Sequence, residues 1–191
     1  VDQWGIIALL DKVFISNLIF VALNGLFVYF DTMDEQIKKK VLRMISYGLY
    51  ILTVKKDKDI AAGTINWLSQ CSFKPPLVMV GIKKDSNSYR LILETNHFTI
   101  NILGKDQKDI AQAFFGPTKI EDQKLNNYEF YLTESSGVVL KDCPSFFECK
   151  VQYIYDQVGD HSVVIGEVIN VGLHKEVEPL YMLTTGWYYG G

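Results

Sequence analysis

The chain has few of the residues that build metal sites and covalent frameworks. It holds three cysteines and three histidines in 191 residues. Cys71, Cys143 and Cys149 are odd in number and show no CxxC spacing, which argues against a disulfide framework or a zinc site and fits a reducing cytosol. His97, His161 and His174 stand alone, with no HxH or HxxxH pattern, so a histidine-built metal centre is not expected. No basic stripe is present and the net charge is −3, which disfavours nucleic-acid binding. Gly-rich dinucleotide fingerprints, Walker-type loops and the G-x-S-x-G elbow are also missing. No internal repeat or low-complexity stretch stands out. What the chain does have is apolar and aromatic side chains. About half of its residues are hydrophobic, enough for a real core. Eleven Tyr and eleven Phe suit strands of a barrel or sandwich.

Charge is absent from Val13 to Phe30, VFISNLIFVALNGLFVYF. That run just reaches the ~18–20 residues needed to cross a bilayer. Ser16, Asn17, Asn24 and Gly25 weaken it, and no small-residue cleavage site follows. Lys38, Lys39, Lys40 and Arg43 lie beyond it, so an anchored domain would stay on the cytoplasmic side. Two other readings stand beside the anchor. The run could be a helix or strand pair packed on the domain or on a partner, or an extension outside the natural protein. Residues 1–32 are therefore read as a hydrophobic leader and residues 33–191 as one domain.

Thr32 and Glu35 have capping-box spacing, and Ile37, Val41, Leu42, Met44 and Ile45 recur at helical intervals. A helix over about 33–46 follows. Strands are expected over 49–54 and 61–68, with a charged turn at 55–59 between them. Pro75-Pro76 excludes a central strand, and Leu77 to Ile82 reads as a strand covered on both faces. Residues 88–94 give a short helix, 97–103 a strand and 105–115 a helix. Strands over 128–132, 138–140, 145–155 and 162–173 complete the chain. Many short strands with interspersed helices predict a mainly β fold, a closed or nearly closed antiparallel barrel.

Two stretches carry chemistry. Lys83, Lys84, Ser86, Asn87 and Ser88 combine cations, hydroxyls and free amides at a helix start, a setting that favours a phosphate. A solvated turn with an ordinary cap has the same composition. The turn from Asn66 to Ser72, which contains Ser69, Gln70 and Cys71, can offer donors and acceptors to the edge of a flat heterocycle, with Trp67 beside it to stack or simply to pack. Together they suggest one nucleotide-like cofactor, ring at one strand end and phosphate at the next. Cys71 lies in the ring-binding turn, but no base partner for it is visible. Gly159-Asp160-His161 opens a long strand, where the histidine could touch a nicotinamide or a substrate, or be an ordinary surface histidine.

The order ISYGLYILT, NWLSQCSFKPP, GIKKDSNSYRLI, ETNHFTINIL, GDHSVVIGEV, PLYMLTTGWYYGG resembles the flavin-reductase-like group of FMN-binding split barrels. Within that group it is most similar to flavoredoxins and to the flavin domains of high-molecular-weight rubredoxins. The resemblance covers about Met33 to Gly191. It implies a Greek-key split β-barrel, a homodimer, and noncovalent FMN near the subunit interface. Carried over, Asn66, Trp67, Leu68, Ser69 and Gln70 would line the isoalloxazine, and Ser72 would reach the ribityl or phosphate region. Lys84 and Ser88 would hold the phosphate, and His161 is the candidate catalytic residue near the nicotinamide. The implied activity is an NAD(P)H-dependent flavin reductase that passes electrons to free flavin, oxygen or a small electron-carrier protein. The alternatives are a non-catalytic FMN-binding electron-transfer or sensory module, membrane-tethered or not, and a split barrel holding haem or pyridoxal phosphate. No rubredoxin-type CxxC pairs follow in this chain, and the leader has no counterpart in the family pattern.

Overall fold

The computed structural model describes residues 33–190 and, for the backbone alone, two strands before them, β1 (Leu18–Leu23) and β2 (Leu26–Asp31). These two pair antiparallel as a hairpin. Most of the hydrophobic leader, and with it the reading of that leader as an anchor, lies outside the described residues. Among the described residues no helix is long and apolar enough to cross a membrane. The chain divides into two compact units, 1–45 with 189–191, and 46–188.

In the first unit, helix α1 (Glu35–Leu42) begins two residues later than the capping-box spacing predicts. Its cap is Asp34, whose carboxylate accepts from the amides of Gln36 and Ile37 at 2.8 and 3.0 Å. A carboxylate in that position meets both orphan amides and the positive end of the helix dipole. The predicted helix over 33–46 shortens accordingly.

The second unit is built on strands β3 (Tyr50–Lys56), β4 (Asp59–Ile65), β5 (Leu68–Ser72), β6 (Leu77–Lys83), β7 (His97–Ile102), β12 (Ser145–Tyr155) and β13 (His161–Leu173). They form one antiparallel sheet in the order β4-β3-β7-β12-β13-β6-β5. A smaller sheet comprises β8 (Ile120–Glu121), β9 (Lys124–Leu125), β10 (Tyr128–Leu132) and β11 (Val138–Leu140). Three helices complete the unit: α2 (Asn87–Thr95), α3 (Lys108–Ala113) and α4 (Met182–Thr185).

Side chains alternate across the large sheet, and each face has its own core. One core joins Leu52 and Val54 of β3, Ala61 of β4, Val78, Val80 and Ile82 of β6, Phe98 and Ile100 of β7 and Val164 of β13. Strands from both ends of the sheet order thus share one interior, so the sheet curls on itself, and Tyr89, Leu91 and Ile92 of α2 fill the same space. The other core sets Ile51 and Ala62 against Ile110, Ala111 and Phe114, with Val138, Leu140 and Leu180. The segment 180–182 is stitched in by the Leu49 amide on the Leu180 carbonyl and the Met182 amide on the Tyr47 carbonyl.

Under the turn between β10 and β11 the second face becomes polar. Thr53 donates to the Val138 carbonyl at 2.7 Å, and the Leu140 amide donates to Asn101 Oδ1 at 2.8 Å. The Glu148 carboxylate is wholly buried and accepts from Ser135 Oγ at 2.7 Å and from Asn170 Nδ2 at 2.6 Å. His97 Nε2 lies 3.5 Å from the same carboxylate. Burial pulls the His97 pKa down and the Glu148 charge offsets part of that pull. Gly137 is required where the turn crosses, because a Cβ there would meet the Glu148 carboxylate.

Candidate functional site

The phosphate-type signal sits where sequence reasoning put it, at the start of α2. Ser86 caps the helix with backbone in the extended region, and its hydroxyl accepts from the Tyr89 amide at 3.1 Å. Asn87 and Ser88 then have no carbonyl one turn earlier to donate to, which leaves their amides facing out of the helix end. Ser88 is buried, Asn87 exposed. Lys84 reaches across to the turn before β13: its ammonium donates to the Asp156 carbonyl at 2.5 Å and the Val158 carbonyl at 3.4 Å. Its amide donates to the Asp160 carbonyl at 3.1 Å. Tyr89 adds a bond from its hydroxyl to the Asp156 carboxylate at 3.3 Å. One cation, two hydroxyls and a helix start make a donor set that fits a phosphate.

The register carries this turn to the histidine. His161 pairs with Lys83 and Val163 with Gly81, so the imidazole emerges two residues along from Gly81. Trp67 lies over Gly81. The Gly81 amide donates to the Trp67 carbonyl at 2.8 Å, and a Cβ at Gly81 would sit 2.9 Å from Trp67 Cε3. The indole then meets the His161 ring, with centroids 4.6 Å apart and planes tilted by 54°. His161 Nδ1 donates to Asp160 Oδ1 at 2.9 Å, and that bond holds the Asp160 carboxyl below its ordinary pKa. His161 is 15% exposed and Asp160 85% exposed, so the ring is held against the sheet while its partner stands in water.

The other predicted residues divide. The Asn66–Ser72 segment is not a free turn: Leu68–Ser72 is the edge strand β5, paired with β6. Ser69 pairs with Met79 and therefore faces the same side as Trp67. Leu68 and Gln70 point to the opposite side; Leu68 packs on the α2 core, and the exposed Gln70 donates its amide to the Ser72 carbonyl at 3.2 Å. Asn66 is buried and donates to Met182 Sδ at 3.1 Å. Ser72 pairs with Leu77, at the end of β6 far from Lys84; seven residues of strand put them about 20 Å apart. The structure brings Trp67, Ser69 and His161 onto one face of β5, β6 and β13, and Lys84 and Ser88 follow the end of β6 in the chain at the start of α2, which packs on the other face. It does not bring Gln70 or Ser72 to that end of the strand.

Cys71 is exposed, while burial pushes the thiols of Cys143 and Cys149 up to about 12. All three are free. Sequence reasoning missed Gly81 and the 156–160 carbonyls. A glycine inside the apolar run LVMVGIK marks a close approach of another group to the strand, and that signal was available. The carbonyls that hold Lys84 carry no such signal.

Comparison with known proteins gives a consistent result. Residues 42–190 match the family model described as flavin reductase like domain. The chain is 31% identical over 124 residues to the reductase component of a flavin-dependent trigonelline monooxygenase from Acinetobacter baylyi, covering 64% of this chain and 39% of that protein. It is 32% identical over 139 residues to a probable flavin reductase from Rhizobium meliloti, covering 72% of this chain and 43% of that one. The chain thus spans less than half the length of these two curated relatives. Among solved structures, the flavin reductase PheA2 in its native state superposes with a TM-score of 0.67 at 26% identity, over 78% of this chain and 93% of PheA2.

Proposed function

This chain belongs to the family of flavin reductase like domains, and from that membership we propose that it is an NAD(P)H-dependent flavin reductase that binds FMN on the β5–β6–β13 face. The observation that carries the reading is the run of β6 between two fitting neighbours. Trp67 and His161 cover its Gly81–Lys83 end on one side, and Lys84, Ser86 and Ser88 follow immediately at the start of α2.

In this reading Lys84, the Ser88 hydroxyl and the first amides of α2 hold the phosphate. Trp67 and Ser69, with the backbone from Asn66 to Leu68, border the ring. Asn66 acts from behind, through its bond to Met182. Gln70 and Ser72 stand too far along the strand to share the phosphate end. When bound, the flavin supplies the redox chemistry, taking a hydride from NAD(P)H and passing electrons to free flavin, oxygen or a protein carrier. The chain supplies orientation and access. His161, held through Nδ1 by Asp160, is in this reading the residue nearest the nicotinamide donor.

A homodimer with a split-barrel subunit is part of the proposal. The shared interior of β3, β4 and β6 around α2 supports the barrel. Met79 and Val163, exposed and adjacent on the sheet face, are apolar surface that a second subunit would cover. The three free thiols support a reducing, cytoplasmic setting. The cofactor domain is proposed to run over 33–191.

The test is the absorption spectrum of the purified protein with FMN, before and after NADH or NADPH. A perturbed flavin spectrum that bleaches on adding the nucleotide supports the enzyme. A flavin that binds and never bleaches leaves a carrier or sensor. A protein indifferent to FMN defeats the reading.

A further inference from the structure

We propose that Tyr89 is a positioning residue for the phosphate end of the site: its hydroxyl holds the Asp156 carboxylate off Lys84 and so keeps that ammonium available to a phosphate. The inference rests on the flavin reductase reading above and deepens it at one place. The turn between β12 and β13 brings two acids, Asp156 and Asp160, beside the lysine that the reading assigns to the phosphate. An ammonium that closes on a carboxylate has its charge met within the protein. Here the turn meets Lys84 with peptide oxygens instead. The Lys84 amide donates to the Asp160 carbonyl at 3.1 Å, and the ammonium donates to the carbonyls of Asp156 at 2.5 Å and Val158 at 3.4 Å. A carbonyl orients an ammonium without neutralising it, and two carbonyls leave the third of its protons for an anion.

Each acid of the turn is engaged elsewhere. Asp160 Oδ1 accepts from His161 Nδ1 at 2.9 Å. Asp156 Oδ2 accepts from the Tyr89 hydroxyl at 3.3 Å, and Oδ1 accepts from the Gln157 side-chain amide at 3.3 Å. The Gln157 bond joins exposed chain neighbours, and water competes for it. Tyr89 differs. The residue is 6% exposed, its ring packs in the core with Leu91 and Ile92 of α2, and its amide is capped by Ser86. The hydroxyl is therefore presented from a fixed ring, and little side-chain freedom remains to be lost when it bonds. The carboxylate it holds belongs to the same residue whose carbonyl Lys84 takes. A change of Asp156 rotamer is thus the route from the observed contact to an ion pair. Tyr89→Phe opens that route and keeps the ring that fills the core.

The test compares FMN with riboflavin, which carries the same ring and no phosphate, in fluorescence titrations. Tyr89→Phe is expected to weaken FMN binding about fivefold, short of the full value of a hydrogen bond to a charged group because the ammonium is still present. Riboflavin affinity should change less than about twofold, the scatter for groups that do not touch. Tyr89→Phe combined with Asp156→Ala should bind FMN as the wild type does, and Asp156→Ala alone should not weaken it. Equal losses for FMN and riboflavin, no loss at all, or a double variant no better than Tyr89→Phe overturns the inference while leaving the flavin reductase reading in place. A readout without flavin decides it independently: the nitrogen NMR resonance of the Lys84 ammonium should move in Tyr89→Phe and return in the double variant. An unmoved resonance overturns it. A wild-type protein that binds FMN no better than riboflavin removes Lys84 from a phosphate site, and this inference with it. A protein that binds neither flavin removes the flavin reductase reading itself.

Discussion

Two histidines in this protein stand beside carboxylates, and the two pairs have opposite characters. His97 faces Glu148 across neighbouring strands, at 3.5 Å, with the carboxylate wholly buried. His161 bonds its chain neighbour Asp160 at 2.9 Å, with the carboxylate in water. The shorter bond is the weaker structural element, because solvent competes for it. The longer contact belongs to a network in which the buried Glu148 carboxylate is held by Ser135 and Asn170, and removing a member leaves a buried group without a partner. Burial, not distance, decides which pair holds the fold. In the other pair the carboxylate stands in water and only the imidazole is held against the sheet.

The largest expected effect breaks the buried pair. Glu148→Ala should cost about 3 kcal/mol, the scale for stripping one partner from a buried polar network, read as a lower urea midpoint at unchanged slope. A midpoint equal to wild type would show that the network is dispensable. Next comes the exposed face. Lys84→Ala should weaken FMN binding about tenfold, the worth of a hydrogen bond to a charged group, and clearly more than Lys58→Ala does in a fluorescence titration. Equal effects would remove Lys84 from the phosphate site.

A smaller effect separates the pairs by pH. The His97 pKa in the folded protein lies below its ordinary value near 6.5, so between those two values the unfolded chain binds more protons. Stability conferred above pH 6.5 is therefore lost as pH falls through that window, and His97→Gln should flatten the loss in melting curves at pH 7 and pH 5.5. Asp160, held low by its bond to His161, gives up its contribution only at more acidic pH, through the range where carboxylates protonate. The smallest effect is the most pointed: Asp160→Asn should leave the melting temperature at pH 7 where it was. A large drop would mean that the exposed pair is structural after all.

Local pattern carried much of the fold. Alternation and apolar runs locate β7, β10, β11, β12 and β13, and the Ser-Asn-Ser start locates α2, because these signals depend on near neighbours. Strand β5 has the sequence pattern of a turn, since Ser69, Gln70 and Cys71 form an edge strand in water and show no apolar face. The two-residue strands β8 and β9 are too short for any period to register. The cap of α1 went to Asp34 instead of Thr32, a choice between two suitable residues in which the carboxylate reached two amides. At the site, Lys84 and Ser88 were legible as a helix-start anion cradle. The seating of Trp67 on Gly81 and against His161 was not.

The sequence by itself determined which residue types could meet a phosphate, and which segments would be strands and helices. Those depend on composition and spacing over a few residues. Only the tertiary structure decided that Trp67 touches His161, that Ser72 stands a strand's length from Lys84, and that Glu148 is sealed beneath Ser135 and Gly137. Strand register made those choices. It pairs residues distant in the chain, and one step of slip would turn each of these side chains to the other face.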